Sequence, residues 1–355
     1  MGRNSDYFRV SSQAGLAAGG GVGRADCDLI AAMIVRWGLD ALPDVLEELS
    51  VSDPLMISTE RWRSLELPVT RRFHGAQPHA EVTGVKQASE AAAGADGLIA
   101  LGGGSAIDTA KAVSAETGLP IISVPTTYSG AEWTQGFGMR DRAAGVKRGG
   151  GGARTVAIVY EPALTLDLPA SESAGSSMNA LAHCAEALYA AGRGEETDRE
   201  ALAGAGLISD WLPVVVREPA DAQARRKLLE GAAHAGAALR AGMGLGHAMA
   251  QALGGRYGLA HGTMNAVCLP PALRYNRAVA SEEIARLGEA MDHGDPIARV
   301  TELAALAGPS RLRDYDVPRE DLAALAGATA ERAPAKANPR PAPPQAIHEL
   351  LEEIW

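Results

Sequence analysis

Three histidines in apolar stretches beside glycines are the residues best suited to carry chemistry. Asn179 and His183 stand four residues apart, as do His247 and Gln251, a spacing that places each pair on one face of a helix. His261 follows shortly afterwards. An imidazole can bind a divalent metal, donate a proton or pair with a carboxylate substrate. The spacing leaves these three roles open.

A second stretch with chemical potential is 98–111, where a short apolar run, three glycines and an Ala-rich helical pattern follow one another. A strand, a glycine turn and a helix in this order place a phosphate at the helix N-terminus. The glycines let the backbone approach a ligand without a Cβ clash, and a serine here can cap the helix or donate its hydroxyl. We therefore predict an anion site formed by Gly102, Gly103, Gly104 and Ser105.

Two further predicted strands end in residues that could contact a nucleotide. The segment 54–59 reads as a strand that ends at Thr59, where a dinucleotide fold contacts the adenosine ribose. No aspartate stands there, so Glu60 could bind the ribose or Arg61 a 2′-phosphate, and the choice between NADH and NADPH stays open. The apolar run 120–125 precedes a polar turn that contains Thr126, Thr127 and Ser129.

The elements that must position these residues divide the chain in two. Strand and helix patterns alternate as far as residue 160, which predicts an α/β nucleotide-binding domain with a mostly parallel sheet over 25–167. Helical spacing then dominates, so an all-α domain is expected over 168–355, with Ser176 or Ser177 capping the helix that carries Asn179. A flexible leader is expected over 1–24, a solvated loop or anion-attracting flap over 135–152, and an extended connector over 333–344.

Composition limits the partners. The 355-residue chain has a formal net charge of −10, which argues against binding to nucleic acid or to an anionic membrane. It also lacks an apolar run of about 18 residues. Its three cysteines, Cys27, Cys184 and Cys268, show no metal-type spacing and fit buried apolar positions in a reducing cytoplasm. An anionic substrate would need local cations, for which Arg140, Arg142, Lys147 and Arg148 are candidates, with Arg256 and Arg274 behind them.

Several stretches together resemble the iron-containing alcohol dehydrogenase family and, within it, the maleylacetate reductases. They are 102–111, 125–134, 178–190 and 338–341. The resemblance implies a dehydroquinate synthase-like fold with a cleft between its domains, a homodimer, and NAD(H) or NADP(H) as cofactor. The implied cofactor-binding residues are Thr59, Gly102, Gly103, Gly104, Ser105, Asp108, Thr126, Thr127 and Ser129.

In metal-dependent members of this family an aspartate and three histidines hold iron or zinc. The matching positions here are Asn179, His183, His247 and His261, so an amide replaces the only anionic ligand. An amide is a poorer ligand for a divalent cation than a carboxylate. The resemblance therefore favours a metal-free site, with the three histidines as ligands if a metal is bound.

The implied function is an NAD(P)H-dependent reductase of aromatic compound catabolism that transfers hydride to an enone or carbonyl of a small anionic substrate. Its catalytic residues would be His183, His247, His261, Asn179 and Gln251. Gln251 stands where the family usually carries a further histidine beside the substrate, and Asn265 stands where the reductases tend to have another, which keeps two alternatives open. They are a metal-dependent alcohol or aldehyde dehydrogenase, and a non-redox lyase or cyclase such as the related dehydroquinate synthases.

Overall fold

A computed structural model describes residues 33–142 and 146–355 of the chain. The expected leader, 1–24, and Cys27 lie outside the described residues. By their internal contacts the residues form two compact units. The first runs to Thr126 and also includes Ala131–Leu164, and the second consists of Thr127–Gly130 and Thr165–Trp355.

The first unit is built on a parallel sheet of six strands in the order β1-β8-β5-β4-β2-β3. Parallel strands require crossover connections, which here include helices. The strands are β1 Ile34–Trp37, β2 Leu55–Ser58, β3 Arg71–Phe73, β4 Leu98–Gly102, β5 Pro120–Pro125 and β8 Arg154–Tyr160, with a hairpin of β6 Phe137–Asp141 and β7 Val146–Gly150. The helices are α1 Leu42–Glu48, α2 Val82–Ala91 and α3 Gly104–Thr117.

The central strands are apolar along their whole length because the sheet is covered on both faces. Alternate residues of β4 contribute to different core clusters, with Ile99 and Leu101 in one and Leu98 and Ala100 in the other. The first cluster includes Leu42 of α1, and the second includes Ile107 of α3. The predicted mostly parallel α/β fold is confirmed.

Of the two expectations for 135–152, the solvated loop is wrong, because β6 and β7 pair in antiparallel register from Phe137 opposite Gly150 to Asp141 opposite Val146. Phe137 and Met139 pack against a small buried cluster that contains Val85. A Cβ atom on Gly150 would lie 2.4 Å from the Phe137 ring, so the glycine makes room for the aromatic side chain. The glycines therefore serve the hairpin, although they hide its strand pattern in the sequence.

The second unit is helical, as predicted. Its helices are α4 Ala170–Ala187, α5 Glu195–Arg217, α6 Ala222–Ala238, α7 Leu245–Tyr257, α8 His261–Asn276, α9 Ser281–Ala290, α10 Pro296–Ala305, α11 Leu322–Ala330, α12 Ala333–Lys336 and α13 Pro344–Glu353. One core cluster joins buried residues of α7, α8, α11 and α13, among them Leu253, Cys268, Leu325 and Leu351.

Two local expectations in this unit are corrected. Ser176 and Ser177 do not cap α4, which begins at Ala170, because their hydroxyls donate to the carbonyls of Glu172 and Ser173 one turn earlier, at 2.7 and 2.8 Å. The connector expected over 333–344 contains the short helix α12, which has a proline in its first turn, a position that proline tolerates well.

The short segment Thr127–Gly130 groups with the helical unit although it follows β5 in the chain. The Tyr128 hydroxyl accepts a hydrogen bond from Arg225, and the carbonyl of Ser129 accepts one from Asn179. These contacts explain why the contact division differs from a single boundary near residue 167. In the part of the chain that the structure describes, no helix has both the length and the apolarity needed to cross a membrane.

Candidate active site

The glycine turn joins β4 to α3 in the first unit. Gly102 has φ +146°, and a Cβ atom there would lie 2.9 Å from the Cβ of Ala106, so this position requires glycine. The amides of Ala106 and Ile107 donate to the carbonyl of Gly103. Within the part of the chain that the structure describes, the amides of Gly103, Gly104 and Ser105 donate to no protein acceptor. Such amides at a helix N-terminus suit an anion.

Two side chains at the start of α3 accept hydrogen bonds from neighbouring backbone amides. Ser105 does not cap α3, whose N-cap is Gly103. The Ser105 hydroxyl accepts the His79 amide at 3.0 Å. The Asp108 carboxylate accepts the amide of Gly138 in β6 at 3.2 Å. Both side chains therefore hold neighbouring loops against α3.

The residues that directly follow β2 contact one another. Thr59 immediately precedes a short 3-10 helix, Glu60–Trp62. The Glu60 carboxylate receives the Arg63 guanidinium at 2.7 Å, which lowers the pKa of Glu60, and Arg61 lies over the Trp62 ring. The residue suited to ribose hydroxyls thus already has a cationic partner.

In the second unit, α4, α7 and α8 bring the three predicted histidines together. The His183 and His247 rings stack with centroids 4.3 Å apart, and the His247 and His261 centroids are 5.9 Å apart. His183 and His247 are buried. Gln251 lies one turn beyond His247 on α7 and is half-buried.

An asparagine network runs along one side of this cluster. The Asn179 amide nitrogen donates to the Ser129 carbonyl at 2.7 Å and to His183 Nε2 at 3.1 Å. Asn265 donates to Asn179 Oδ1 at 2.7 Å and to His261 Nε2 at 3.1 Å. The donors and the acceptor of the Asn179 side chain are all engaged. An aspartate at position 179 would instead set a carboxylate against the carbonyl oxygen of Ser129.

His247 is the histidine of this cluster that is held by a carboxylate. His247 Nδ1 donates to Glu186 Oε2 at 2.6 Å, while His247 Nε2 has no hydrogen-bond partner among the described residues. Glu186 and His247 are both fully buried. In a neutral His247 the proton on Nδ1 leaves Nε2 as an acceptor, and in a charged His247 both nitrogens are donors.

Burial sets the charge of His183. Its pKa lies well below the usual value because burial disfavours the charged ring and because His247 and His261 repel a further positive charge. His183 therefore stays neutral near pH 7. Since its Nε2 accepts from Asn179, its proton is on Nδ1.

These donor atoms do not fit a three-histidine, one-carboxylate metal site. The Nε2 atoms of His183 and His261 each receive an asparagine amide, and the position of the anionic ligand is occupied by an amide that itself donates. Within 33–142 and 146–355, no three or more His, Cys, Asp or Glu side chains form a group that could hold a metal ion.

Several of the proposed substrate-binding cations are engaged in ion pairs. Arg148 pairs with Asp141 at 3.1 Å, Arg256 pairs with Asp321 at 2.8 Å, and Arg274 pairs with Glu353. All three are exposed side chains, with ion pairs of the kind that contribute little energy. The cysteines behave as predicted where described: Cys184 and Cys268 are free and buried, and burial raises the pKa of both thiols.

Sequence reasoning missed Glu186 and gave Asn265 no role. Glu186 is a single carboxylate in the apolar stretch 180–190, one helical turn after His183, and that isolation is the one signal that could have pointed to it. Asn265 is four residues after His261 on α8 and donates to Asn179 on α4. Nothing in the sequence specifies that contact.

Fold and site together define a known class. The family model described as "Iron-containing alcohol dehydrogenase" matches residues 39–160. The model described as "Fe-containing alcohol dehydrogenase family, C-terminal" matches residues 173–355. The chain belongs to the iron-containing alcohol dehydrogenase family, as its motifs predicted, and it is an oxidoreductase.

Several individual proteins are similar to this chain over most of its length. Maleylacetate reductase of Burkholderia cepacia is 40% identical over 266 residues, which are 74% of each chain. The crystal structure of maleylacetate reductase from Rhizobium sp. strain MTP-10005 matches with a TM-score of 0.84 at 33% identity, covering 92% of this chain and 96% of that one. Sulfoacetaldehyde reductase from Bifidobacterium kashiwanohense in complex with NAD+ shares the fold, with a TM-score of 0.82 at 22% identity over 91% of this chain and 97% of that one.

Proposed function

We propose that this enzyme reduces maleylacetate, a small dicarboxylate in which a carbon–carbon double bond is conjugated to a ketone, with NADH or NADPH and without a metal. The names of its relatives support the substrate class. The observation that carries the proposal is the side chain of Asn179, which donates both to a backbone carbonyl and to an imidazole. A metal-binding aspartate cannot make those two contacts.

The glycine turn is the proposed cofactor site. The amides of Gly103, Gly104 and Ser105 would receive the pyrophosphate at the N-terminus of α3. Thr59, Asp108, Thr126, Thr127 and Ser129 complete the proposed cofactor residues. The bound nucleotide supplies a hydride to the double bond. The fold accommodates such a ligand, since the sulfoacetaldehyde reductase structure contains NAD+.

Hydride addition drives electrons toward the ketone oxygen, and this chain must stabilise the resulting enolate. His183 stays neutral, so the proton donor is His247 or His261. His247 is the better donor because the Glu186 carboxylate holds its Nδ1 and stabilises a positive charge on the ring. Protonated His247 donates from Nε2 to the developing oxyanion, and one proton is then delivered to carbon as the ketone reforms.

The substrate and metal assignments are tested together. Purified enzyme, dialysed against a chelator and analysed for bound metal, should oxidise one NAD(P)H for each maleylacetate added. Activity lost on chelation and restored by iron or zinc would instead indicate a metal-dependent dehydrogenase. Turnover without net NAD(P)H oxidation would indicate a lyase or cyclase.

We further propose that the enzyme is a cytoplasmic homodimer in the catabolism of aromatic compounds. The resemblance to the reductase subgroup supports this, and the free buried thiols of Cys184 and Cys268 fit a reducing compartment. Sedimentation of the enzyme at twice the 36.7 kDa chain mass is the expected result.

A further inference from the structure

The carboxylate of Glu186 is fully buried and is surrounded by hydrogen-bond donors. Oε1 accepts the amides of Gly246, at 2.8 Å, and of His247, at 3.3 Å. Oε2 accepts the amide of Gly244, at 2.6 Å, and Nδ1–H of His247, also at 2.6 Å. These amides begin α7, so the carboxylate closes the N-terminus of the helix that carries His247.

The glycines around this carboxylate permit the close approach. A Cβ atom on Gly246 would lie 2.9 Å from Glu186 Oε1, and one on Gly244 would lie 3.2 Å from the same oxygen. Among the described residues, His247 is the one side chain that hydrogen-bonds to Glu186. The negative charge is therefore balanced by a helix N-terminus and one imidazole.

We propose that Glu186 is a positioning residue for the reaction: it holds the proton of His247 on Nδ1, fixes the ring, and leaves Nε2 as the nitrogen that exchanges a proton with the substrate. The inference rests on the proposed function for the identity of the substrate. It does not depend on that function for the state of the His247 ring.

Glu186→Gln is the informative variant because both carboxylate oxygens face donors. With the glutamine oxygen toward the amides of Gly246 and His247, the new NH2 group faces His247 Nδ1 and the amide of Gly244, which loses its acceptor. The His247 ring can form this hydrogen bond only by accepting at Nδ1, so its proton moves to Nε2. Glutamine also removes the negative charge that stabilises a protonated His247 ring, and loss of a general acid costs about 10²- to 10⁴-fold in kcat.

The matched control is Glu200→Gln. Glu200 Oε2 contacts His234 Nδ1 at 2.7 Å, a carboxylate–histidine pair between α5 and α6, outside the histidine cluster, in which Glu200 is buried and His234 is half-buried. It reports the general cost of removing a carboxylate from a histidine in this unit. It should leave kcat within about twofold of the wild type.

The test combines kinetics with ¹⁵N NMR of histidine-labelled protein, in which the His247 signal is assigned by its loss in His247→Gln. We expect wild-type His247 to carry a proton on Nδ1. In Glu186→Gln we expect it on Nε2, with kcat for maleylacetate lower by about 10³-fold and NADH affinity within about twofold. A helix cap alone would lower stability while leaving both the tautomer and kcat unchanged, which would overturn the proposal.

The outcomes separate the two proposals. If wild-type enzyme does not reduce maleylacetate but the His247 proton moves as expected, the positioning role stands and the substrate assignment fails. If the enzyme reduces maleylacetate and Glu186→Gln keeps its kcat, the positioning role fails alone. Should Glu186→Gln not fold, a wild-type spectrum without a proton on His247 Nδ1 still refutes the inference.

Discussion

The three imidazoles of the site differ in what each ring nitrogen contacts, and therefore in what each can do with a proton. His183 is neutral and receives an amide at Nε2, and His261 also receives an amide at Nε2. His247 alone of the three is held by a carboxylate at Nδ1. The types and spacing of these residues are visible in the sequence, whereas the division of roles follows from their neighbours.

At this residue scale, His247→Ala should lower kcat by about 10²- to 10⁴-fold, the range for loss of a general acid. The NADH dissociation constant should stay within about twofold, since the glycine turn proposed to bind the pyrophosphate is in the first unit. Stopped-flow turnover and fluorescence titration measure the two quantities. Comparable losses in both would contradict the assigned role, and His234→Ala is the control.

The neutral state of His183 predicts a pH dependence of stability. Its pKa is lowered in the folded state, so below the ordinary value of about 6.5 the unfolded chain binds a proton that the folded protein does not. Its contribution is therefore present above about pH 6.5 and is lost as the pH falls toward the lowered folded value.

The measurement is the urea midpoint at about pH 7.5 and about pH 5 for the wild type and for His183→Gln. We expect a smaller loss on acidification in the variant, because glutamine has no proton to gain. Carboxyl groups titrate alike in both proteins and cancel in the comparison. Equal losses in the two proteins would show that His183 does not titrate in this range.

At the scale of elements, helix packing and turn geometry decide what the residues can do. The order strand, glycine turn, helix was predictable because β4 is an uninterrupted apolar run and α3 is rich in alanine. The hairpin of β6 and β7 was not, because its glycines obscure the strand pattern and its stability comes from Phe137 and Met139 packing on a distant cluster. The capping of α4 was also missed, since serine favours both caps and back-bonding within a helix.

Two glycines of the turn offer a matched pair. Gly102 has a left-handed φ and no room for a Cβ, whereas Gly103 has φ −83° and ψ −169°, which other residues adopt. We expect Gly103→Val to fold normally and to lose NADH binding, because the side chain occupies the space of the pyrophosphate. Gly102→Val should lower the unfolding midpoint itself. Unchanged NADH titration in Gly103→Val would remove the phosphate assignment.

Arg225 of α6 ties the segment Thr127–Gly130 to the helical unit. Its fully buried guanidinium donates to the Tyr128 hydroxyl, the Ser173 hydroxyl and three backbone carbonyls. Arg225→Met leaves these acceptors unpaired, so we expect a loss of about 3 kcal/mol in the free energy of unfolding. Arg226→Met, which removes a half-buried pair with Glu230, should cost less than about 1 kcal/mol. Equal costs, measured by urea denaturation, would argue against this role of Arg225.

At the scale of the whole molecule, the net charge of −10 is the dominant long-range property. The proposed substrate and cofactor are also negatively charged, so their encounter with the protein is opposed at low salt. Raising the ionic strength from about 10 mM to about 150 mM shortens the Debye length from about 30 Å to about 8 Å.

We therefore expect kcat/KM for maleylacetate to rise over this range, with the change carried mainly by KM. The uncharged dimethyl ester is the control and should show little salt dependence. A fall in kcat/KM for the dicarboxylate would mean that local cations such as Arg140 or Arg142 outweigh the net charge.

The sequence by itself determined the alternation of strands and helices, the glycine turn, and the residue types at 179, 183, 247 and 261. These follow from local periodicity and from motifs within a few residues of each other, which short-range sterics and hydrogen bonding control. Only the tertiary structure decided that Glu186 meets His247, 61 residues away, and that Asn265 meets Asn179, 86 residues away. Such contacts depend on how α4, α7 and α8 pack, and packing is set by the shapes of many buried side chains together rather than by any one segment.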